Sequence, residues 1–411
     1  MMSPRIAVIS DTVDHTDGVA IGLRRLVAAS TRAGHAMTLI GPANLGVVDS
    51  VVRIPALLSA ALPFYAEYRW SVPLLPVLGA YLTRSADILQ IATPGPMGIA
   101  GLIVAKMIGM PVIAQYHTEV AEYAARMTGM PRIRGVVEPV VGWVYRQAEL
   151  CLAPSSAVEQ RLLSLGVARD RIQRIPRGVD LELFSPARRD RSVLAKYGVG
   201  DGPVALYVGR VSKEKNMDGL LAAWAKVRAT RPTAQLLIVG DGPVRAACKA
   251  PGVVCTGSLY DEELAQVFAS ADVFAFASET ETFGNVVVEA AASGLPAVVM
   301  AGGAAHEHVR DGETGFVCRD LETFAMALGQ ALDDPQLRGR HGLAARARAT
   351  SYDLDHAMRA TWQIYETLHA RRAAAWLIRR AAARHRAMRA TWRIYDRLAA
   401  RTPLRALKAA A

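Results

Sequence analysis

The sequence predicts an α/β protein made of two parallel-sheet units in series, with ligand bound between them. Three observations predict it. Short apolar runs alternate with helix-like stretches over most of the 411 residues, the rhythm of a parallel sheet covered by helices. The rhythm stops near Pro186 and then restarts. Apolar residues make up 52% of the chain and charged residues 21%, enough for large packed cores and too apolar for a disordered chain.

The elements follow in order. The run Ile6-Ala7-Val8-Ile9 reads as a strand and residues 20–33 as a helix. Residues 37–40 and 88–91 are further strands. Residues 98–108 are helical, and Val112-Ile113-Ala114 is the next strand. Around residues 185–190 the chain turns polar and carries Pro186, which marks the boundary. Beyond it, residues 204–208 read as a strand, 217–230 as a helix and 235–239 as a strand. Residues 253–256, 273–277 and 297–299 are three more strands. Open sheets of this kind bind ligand at the carboxyl ends of their strands.

Charge narrows the function classes. The net charge is +11, yet the residues from His369 onward hold twelve Lys or Arg against one Asp, which is the whole excess. The body is neutral, so a general nucleic-acid-binding face on it is not expected. The four cysteines form no CxxC pair and read as reduced thiols of a cytoplasmic protein. No signal peptide is expected. The apolar segment 72–82 is shorter than the roughly 18 residues that mark a membrane-crossing helix.

Five segments carry candidate chemistry. Gly209-Arg210-Val211-Ser212-Lys213-Glu214-Lys215-Asn216 follows a strand and opens a helix. Arg210 offers a fork of donors and Lys215 a compact charge, a pair suited to a diphosphate; a solvated basic loop is the plain reading from charge alone. Glu281-Thr282-Phe283-Gly284-Asn285-Val286-Val287-Val288-Glu289 follows another strand. A helix starting near Gly284 would aim free N–H groups at a phosphate. Glu289 would then lie on its inner face, able to accept from ribose hydroxyls, and it needs a partner if buried. Gly240-Asp241-Gly242-Pro243 is a tight turn after a strand. In Thr16-Asp17-Gly18-Val19, Gly18 permits close backbone approach. Tyr116-His117-Thr118-Glu119 follows a strand, so His117 lies on the ligand side or is a core histidine.

Together these segments resemble the retaining glycosyltransferases of the GT-B fold, the large family that includes sucrose synthases and bacterial lipid mannosyltransferases. The match also takes in Arg177-Gly178-Val179-Asp180 and Ala292-Ser293-Gly294-Leu295-Pro296, and order and spacing agree across residues 5–368. The resemblance implies two Rossmann-like domains facing across a cleft, with an extra C-terminal helical tail. Residues 1–185 would form the acceptor-side domain and 186–350 the nucleotide-sugar domain. Residues 351–370 would be a helix crossing back to the first domain, and 371–411 a basic amphipathic tail. It further implies a nucleotide-diphosphate sugar donor and a lipid or glycan acceptor. Arg210 and Lys215 would hold the diphosphate and stabilise the departing charge, with no cofactor or metal required. Glu281 would meet sugar hydroxyls and Glu289 the ribose. Gly284, Asn285 and Val286 would offer backbone donors, with Gly209, Asn216, Gly240 and Phe283 also on the donor side. Gly18 and His117 would frame the sugar and acceptor.

The branch resembled is that of GDP-mannose-dependent lipid mannosyltransferases and sulfoquinovosyl-diacylglycerol synthases. GDP-mannose is the preferred donor, with a UDP-sugar glycolipid synthase as the alternative. Arg177 stands where many relatives have asparagine, and Asp17-Gly18 where a Gly-Gly pair is common. A nucleotide-sugar epimerase and a non-catalytic sugar-nucleotide-binding protein are rival readings from other classes. The segment Ala-Met-Arg-Ala-Thr-Trp-x-Ile-Tyr-x-x-Leu occurs at 357–368 and again at 387–398. Residues 371–408 are basic and carry Trp376, Trp392 and Tyr395. They read either as a surface helix on an anionic membrane or as an extra packed helix, with nucleic acid ranked below both. The first of these makes the protein peripheral on the inner face of the plasma membrane.

Overall fold

The computed structural model describes residues 3–14, 18–43, 51–62 and 65–372. The chain divides into two compact units, 1–362 and 363–411; of the second, residues 363–372 are described, as helix. The basic segment 373–408 and the second copy of the repeat lie outside the described residues, as do Thr16 and Asp17.

The first unit contains both large sheets. The first sheet is built from β1 (Ile6–Ile9), β2 (Met37–Pro42) and β3 (Val51–Ile54). An antiparallel hairpin follows, β4 (Ala56–Leu62) and β5 (Tyr65–Pro73). The sheet continues with β6 (Ile88–Ile91), β7 (Val112–Gln115), β8 (Leu150–Ala153) and β9 (Ile172–Arg174). Its strand order is β3-β2-β1-β6-β7-β8-β9, and neighbours pair in parallel. The second sheet comprises β10 (Val204–Val208), β11 (Gln235–Val239), β12 (Val253–Gly257), β13 (Val273–Phe276), β14 (Ala297–Met300) and β15 (Gly315–Cys318). Its order is β12-β11-β10-β13-β14-β15, again parallel.

Every residue of β1, β6, β7 and β10 is buried. Strands covered on both faces need apolar side chains at each position rather than at alternate ones, which is why these strands read as unbroken apolar runs. In both sheets the order reverses beside the first strand, between β1 and β6 and between β10 and β13. Loops leaving such adjacent strands diverge to opposite faces and open a crevice. The loop after β10 holds Arg210 and Lys215, and the loop after β13 holds Glu281.

Three features differ from the sequence reading. The hairpin β4–β5 and the short strands β3, β8, β9 and β15 have no counterpart in it. The apolar segment 72–82 is divided between the end of β5 and the helix Leu75–Ser85, and no described helix is long and apolar enough to cross a membrane. Gly18 opens the helix Gly18–Arg32 rather than sitting in a loop. All four cysteines are free thiols. Residues 354–362 are helical, and Trp362 in this stretch stacks on His35 at 3.9 Å between ring centroids and donates Nε1–H to Ser3 Oγ.

Candidate active site

The donor-side residues assemble from three strand-end loops. After β10 the chain passes Gly209 and makes a 3-10 turn, Lys213–Lys215. Asn216 then takes a left-handed conformation (φ 56°) and begins the helix Met217–Thr230. Its side-chain amide donates to the Ala277 carbonyl at 3.1 Å, tying this loop to the end of β13. The turn after β11 packs directly beneath. A Cβ on Gly240 (φ 137°) would lie 1.9 Å from the Gly209 carbonyl oxygen, so only glycine fits there. Val211 N–H donates to the Asp241 carbonyl at 2.9 Å.

This scaffold brings Lys215 and Glu281 together. Lys215 Nζ lies 2.5 Å from Glu281 Oε1 and donates to Tyr123 Oη at 3.2 Å. Ser278 Oγ donates to the same Glu281 oxygen at 2.9 Å. Both charged side chains are about 15% exposed. Burial works to lower the Lys215 pKa, but the Glu281 charge and Tyr123 outweigh it and the ammonium is held above its ordinary value. Arg210 Nε stands 3.6 Å from buried Glu214, whose carbonyl accepts from Thr280.

Glu289 is not part of that cluster. Gly284 (φ 89°) is the N-cap of the helix Asn285–Ala292, with no side-chain cap, and Glu289 sits in its second turn. The partner that its burial demanded is Arg25 from the first helix, but loosely, at 4.0 Å. Burial pushes the Glu289 carboxyl up to about 7, with Arg25 opposing. Arg25 also reaches Asp261 at 3.2 Å, so one side chain bridges from the first sheet's helix to two acidic groups beside the second sheet.

From the first sheet, His117 follows β7 and is buried. Its Nδ1 lies 2.6 Å from Arg177 Nη2, and its carbonyl accepts from Thr282 Oγ1 at 2.8 Å. Among the described residues its Nε2 has no hydrogen-bond partner. Burial, then the Arg177 charge, holds the imidazole pKa well below 6.5. Phe283 lies beside this pair: the Arg177 guanidinium stands 5.8 Å over its ring, and its carbonyl lies 2.7 Å from His308 Nε2.

Sequence reasoning did not single out Tyr123, Ser278, Arg25 or Asp11. Asp11, after β1, accepts from Thr93 Oγ1 and from Met97 N–H at the start of the helix Pro96–Ile108. Burial pushes its carboxyl up to about 6 against those hydrogen bonds. Ser278 was within reach, three residues before Glu281; the others are joined to the site only by the fold.

Beside the Lys215–Glu281 pair lies a cavity of about 350 Å³ between the two sheets. Carboxylates of Glu119, Glu122, Glu138, Glu279 and Glu281 line it, opposed by Arg126, Arg134 and Arg161. Arg126 and Arg134 both pair with Glu122, and Arg161 pairs with Glu119 and Glu138. Arg134 and Glu138 belong to the helix Arg134–Gln147, which exposes Val136, Val140 and Trp143 elsewhere on its surface.

Comparison with known proteins fits this geometry. Residues 16–183 match the model of Glycosyltransferase Family 4, and residues 202–334 that of Glycosyl transferases group 1. A GDP-mannose-dependent alpha-mannosyltransferase of Mycobacterium tuberculosis is 31% identical over 84% of this chain and 92% of its own length. The chain belongs to the GT-B glycosyltransferases. The sulfoquinovosyl transferase SQD2 of Arabidopsis thaliana is 33% identical over 71% of this glycosyltransferase, which spans 59% of that relative's length. Among solved structures, Anabaena HepE in complex with UDP and glucose superposes with a TM-score of 0.71 at 20% identity, over 89% of this chain and all of its own. Sucrose-phosphate synthase from Thermosynechococcus elongatus gives 0.72 at 23% identity, over 89% and 99%. These two share the fold.

Proposed function

We propose that this glycosyltransferase moves a hexose, with retention, from GDP-mannose to a lipid-linked acceptor. The observation that carries the reading is the Lys215–Glu281 pair between the loops after β10 and β13, with Arg210 in the first of them. Lys215 and Arg210 bind the diphosphate and stabilise the charge that grows on it as the sugar leaves. Glu281 accepts from sugar hydroxyls, Glu289 from the ribose, and the N–H groups following Gly284 meet a phosphate. His117 donates from Nε2. No metal is assigned to this step.

In the reaction an acceptor hydroxyl oxygen forms a bond to the sugar's anomeric carbon on the face that the diphosphate leaves. The bond from that carbon to the phosphate oxygen breaks, its electron pair going to the phosphate. The acceptor proton passes to the departing phosphate oxygen, and the products are an α-glycoside and GDP. The cavity beside Glu281 receives the acceptor. Its carboxylates and guanidiniums suit a hydroxyl-rich headgroup, and the exposed apolar residues of the helix Arg134–Gln147 suit a lipid tail. The enzyme then works as a peripheral protein on the cytoplasmic face of a membrane.

The relatives support this donor, since GDP-mannose-dependent alpha-mannosyltransferases of Mycobacterium tuberculosis, Mycolicibacterium smegmatis and Corynebacterium glutamicum match over 80% or more of this chain. SQD2 and an alpha-monoglucosyldiacylglycerol synthase of Streptococcus pneumoniae favour the second reading, a UDP-sugar glycolipid synthase. Incubation with GDP-mannose, UDP-glucose or UDP-sulfoquinovose and a diacylglycerol-type acceptor separates the two. The expected result is a mannosylated product whose anomeric proton resonance is that of an α-linkage. Turnover of a UDP-sugar alone moves the assignment to the second reading, and a β-linked product removes retention.

A further inference from the structure

The contact between His117 and Arg177 fixes more than a distance. A guanidinium is a permanent cation that donates and never accepts. With Arg177 Nη2 2.6 Å from His117 Nδ1, Nδ1 must be the acceptor. The proton of the neutral ring therefore sits on Nε2, the nitrogen that is buried and has no partner among the described residues. Buried donors are almost always satisfied in folded proteins, so this N–H, unpaired among the described residues, is available to a ligand oxygen. Burial and the Arg177 charge together keep the ring from taking a second proton.

Arg177 itself is unusual. Burial brings its guanidinium down to about 10, and no carboxylate among the described residues offsets that cost. Among the described residues its polar and ring contacts are His117 Nδ1 and the Phe283 ring. A partly buried cation with no counter-ion among the described residues is destabilising, which makes a purely structural role a poor explanation. The residue arises sixty positions after His117 in the Arg177-Gly178-Val179-Asp180 turn. That turn is anchored by Val179 N–H donating to the Tyr352 carbonyl at 2.7 Å, and a Cβ on Gly178 would lie 2.3 Å from Leu354 Cα. The guanidinium is thus delivered from a rigid support.

We propose that Arg177 is a positioning residue that locks His117 in its neutral Nε2–H form, so that His117 acts as a hydrogen-bond donor to a substrate oxygen and neither as a general acid nor as a general base. The identity of that oxygen, on the transferred sugar, rests on the reading under Proposed function; the lock does not. The pair recognises an uncharged oxygen by a neutral N–H donor held in one orientation.

The test is two-bond ¹H–¹⁵N correlation spectroscopy on histidine-labelled full-length protein, in which the His117→Gln spectrum assigns one of the nine histidines. The expected spectrum has an unprotonated Nδ1 and a protonated Nε2, unchanged from pH 6 to 8. Arg177→Met removes the donor at similar size; His117 then shows mixed tautomers. On the same change kcat falls by roughly 10- to 100-fold, the usual loss when a histidine's orienting partner is removed, while donor KM moves less than threefold. Arg177→Lys, which keeps a donor, restores part of kcat, as does guanidinium ion added to Arg177→Ala. A wild-type His117 that carries its proton on Nδ1, or that titrates between pH 6 and 8, overturns the proposal whether or not the variants fold. So does a folded Arg177→Met with kcat within twofold of wild type. Loss of the donor assignment with the tautomer intact would overturn the sugar reading and leave the lock standing.

Discussion

The two sheets hold their site residues in different ways. On the second, Arg210, Lys215 and Glu281 come from loops that flank β10 and β13, and the scaffold between them is local: glycines in the turn after β11 and one Asn216 amide on the Ala277 carbonyl. On the first, His117 depends on Arg177, sixty residues later, and on Thr282 from the other sheet. The loops of the donor half are held mainly by local contacts, with Tyr123 on Lys215 and Arg25 on Glu289 reaching in from the first-sheet side, whereas the first-sheet half is completed only when both sheets are in contact. Changes in the donor half should therefore act on chemistry and local stability together. Changes on the first-sheet side should act on turnover while nucleotide binding survives.

The largest effect is expected at the Lys215–Glu281 pair. Lys215→Ala removes a charge that stabilises the leaving diphosphate and lowers kcat by about 10²- to 10³-fold. Glu281→Ala loses most turnover as well, and it leaves a buried ammonium without its carboxylate, destabilising the fold by about 3–5 kcal/mol. Steady-state kinetics with urea melts checks both. If Glu281→Ala melts like wild type, the ion pair contributes little and the picture of a locally held half weakens.

Next comes the pH dependence set by Glu289. Its carboxyl is pushed up to about 7, so the ionised form that accepts ribose hydroxyls grows as pH rises through 7. Donor KM should fall roughly tenfold from pH 6 to pH 8, and Glu289→Gln should be weak and flat over that range. The linkage runs the other way for folding. A carboxyl whose folded pKa is raised from 4.5 to about 7 contributes stability present below 4.5 and lost as pH rises through 7. A wild-type KM that is flat over this range contradicts the assignment.

A smaller effect is expected at the contact between the halves. Glu307 accepts from Ser156 N–H and Ala157 N–H, both at 3.0 Å, at the start of the helix Ser156–Ser164. Those bonds and Arg174 hold its carboxyl below the ordinary range against burial. Glu307→Ala should lower stability by about 1 kcal/mol, the usual loss of a helix cap, and reduce turnover more than nucleotide affinity. Equal loss of both in kinetics and calorimetry would remove the distinction between the halves. Smallest on catalysis is Trp143→Ser with Val136→Ser. Turnover of a water-soluble acceptor should stay within twofold while sedimentation with anionic vesicles falls. Unchanged sedimentation would remove this helix from the lipid reading.

What the sequence made legible follows the same division. The strands β10 and β11 and the helix Met217–Thr230 were read with the bounds that the structure gives, because each is an unbroken apolar or helical stretch inside one covered sheet. Arg210, Lys215, Glu281 and Glu289 could be singled out as candidates because a strand, a turn and a helix start surround each of them in sequence. The hairpin β4–β5 escaped because Ala56–Leu62 lacks alternation between apolar and polar positions, and β15 because four residues carry too little pattern. Tyr123, Arg25 and the Arg177–His117 contact escaped for another reason. Each joins residues 60 to 264 positions apart, and no local pattern encodes a partner brought in by the packing of two sheets.

The central claim is that the loops after β10 and β13 form a nucleoside-diphosphate site in which Lys215 meets the phosphates. Isothermal titration and thermal unfolding with GDP, UDP and ADP, on wild type and Lys215→Ala, test it most directly. At a GDP concentration near 100 times its Kd, wild type should gain about 2.7 kcal/mol of stability, UDP and ADP should give less, and Lys215→Ala should lose most of the gain. No stabilisation by any of the three, or equal stabilisation of wild type and Lys215→Ala, would contradict it.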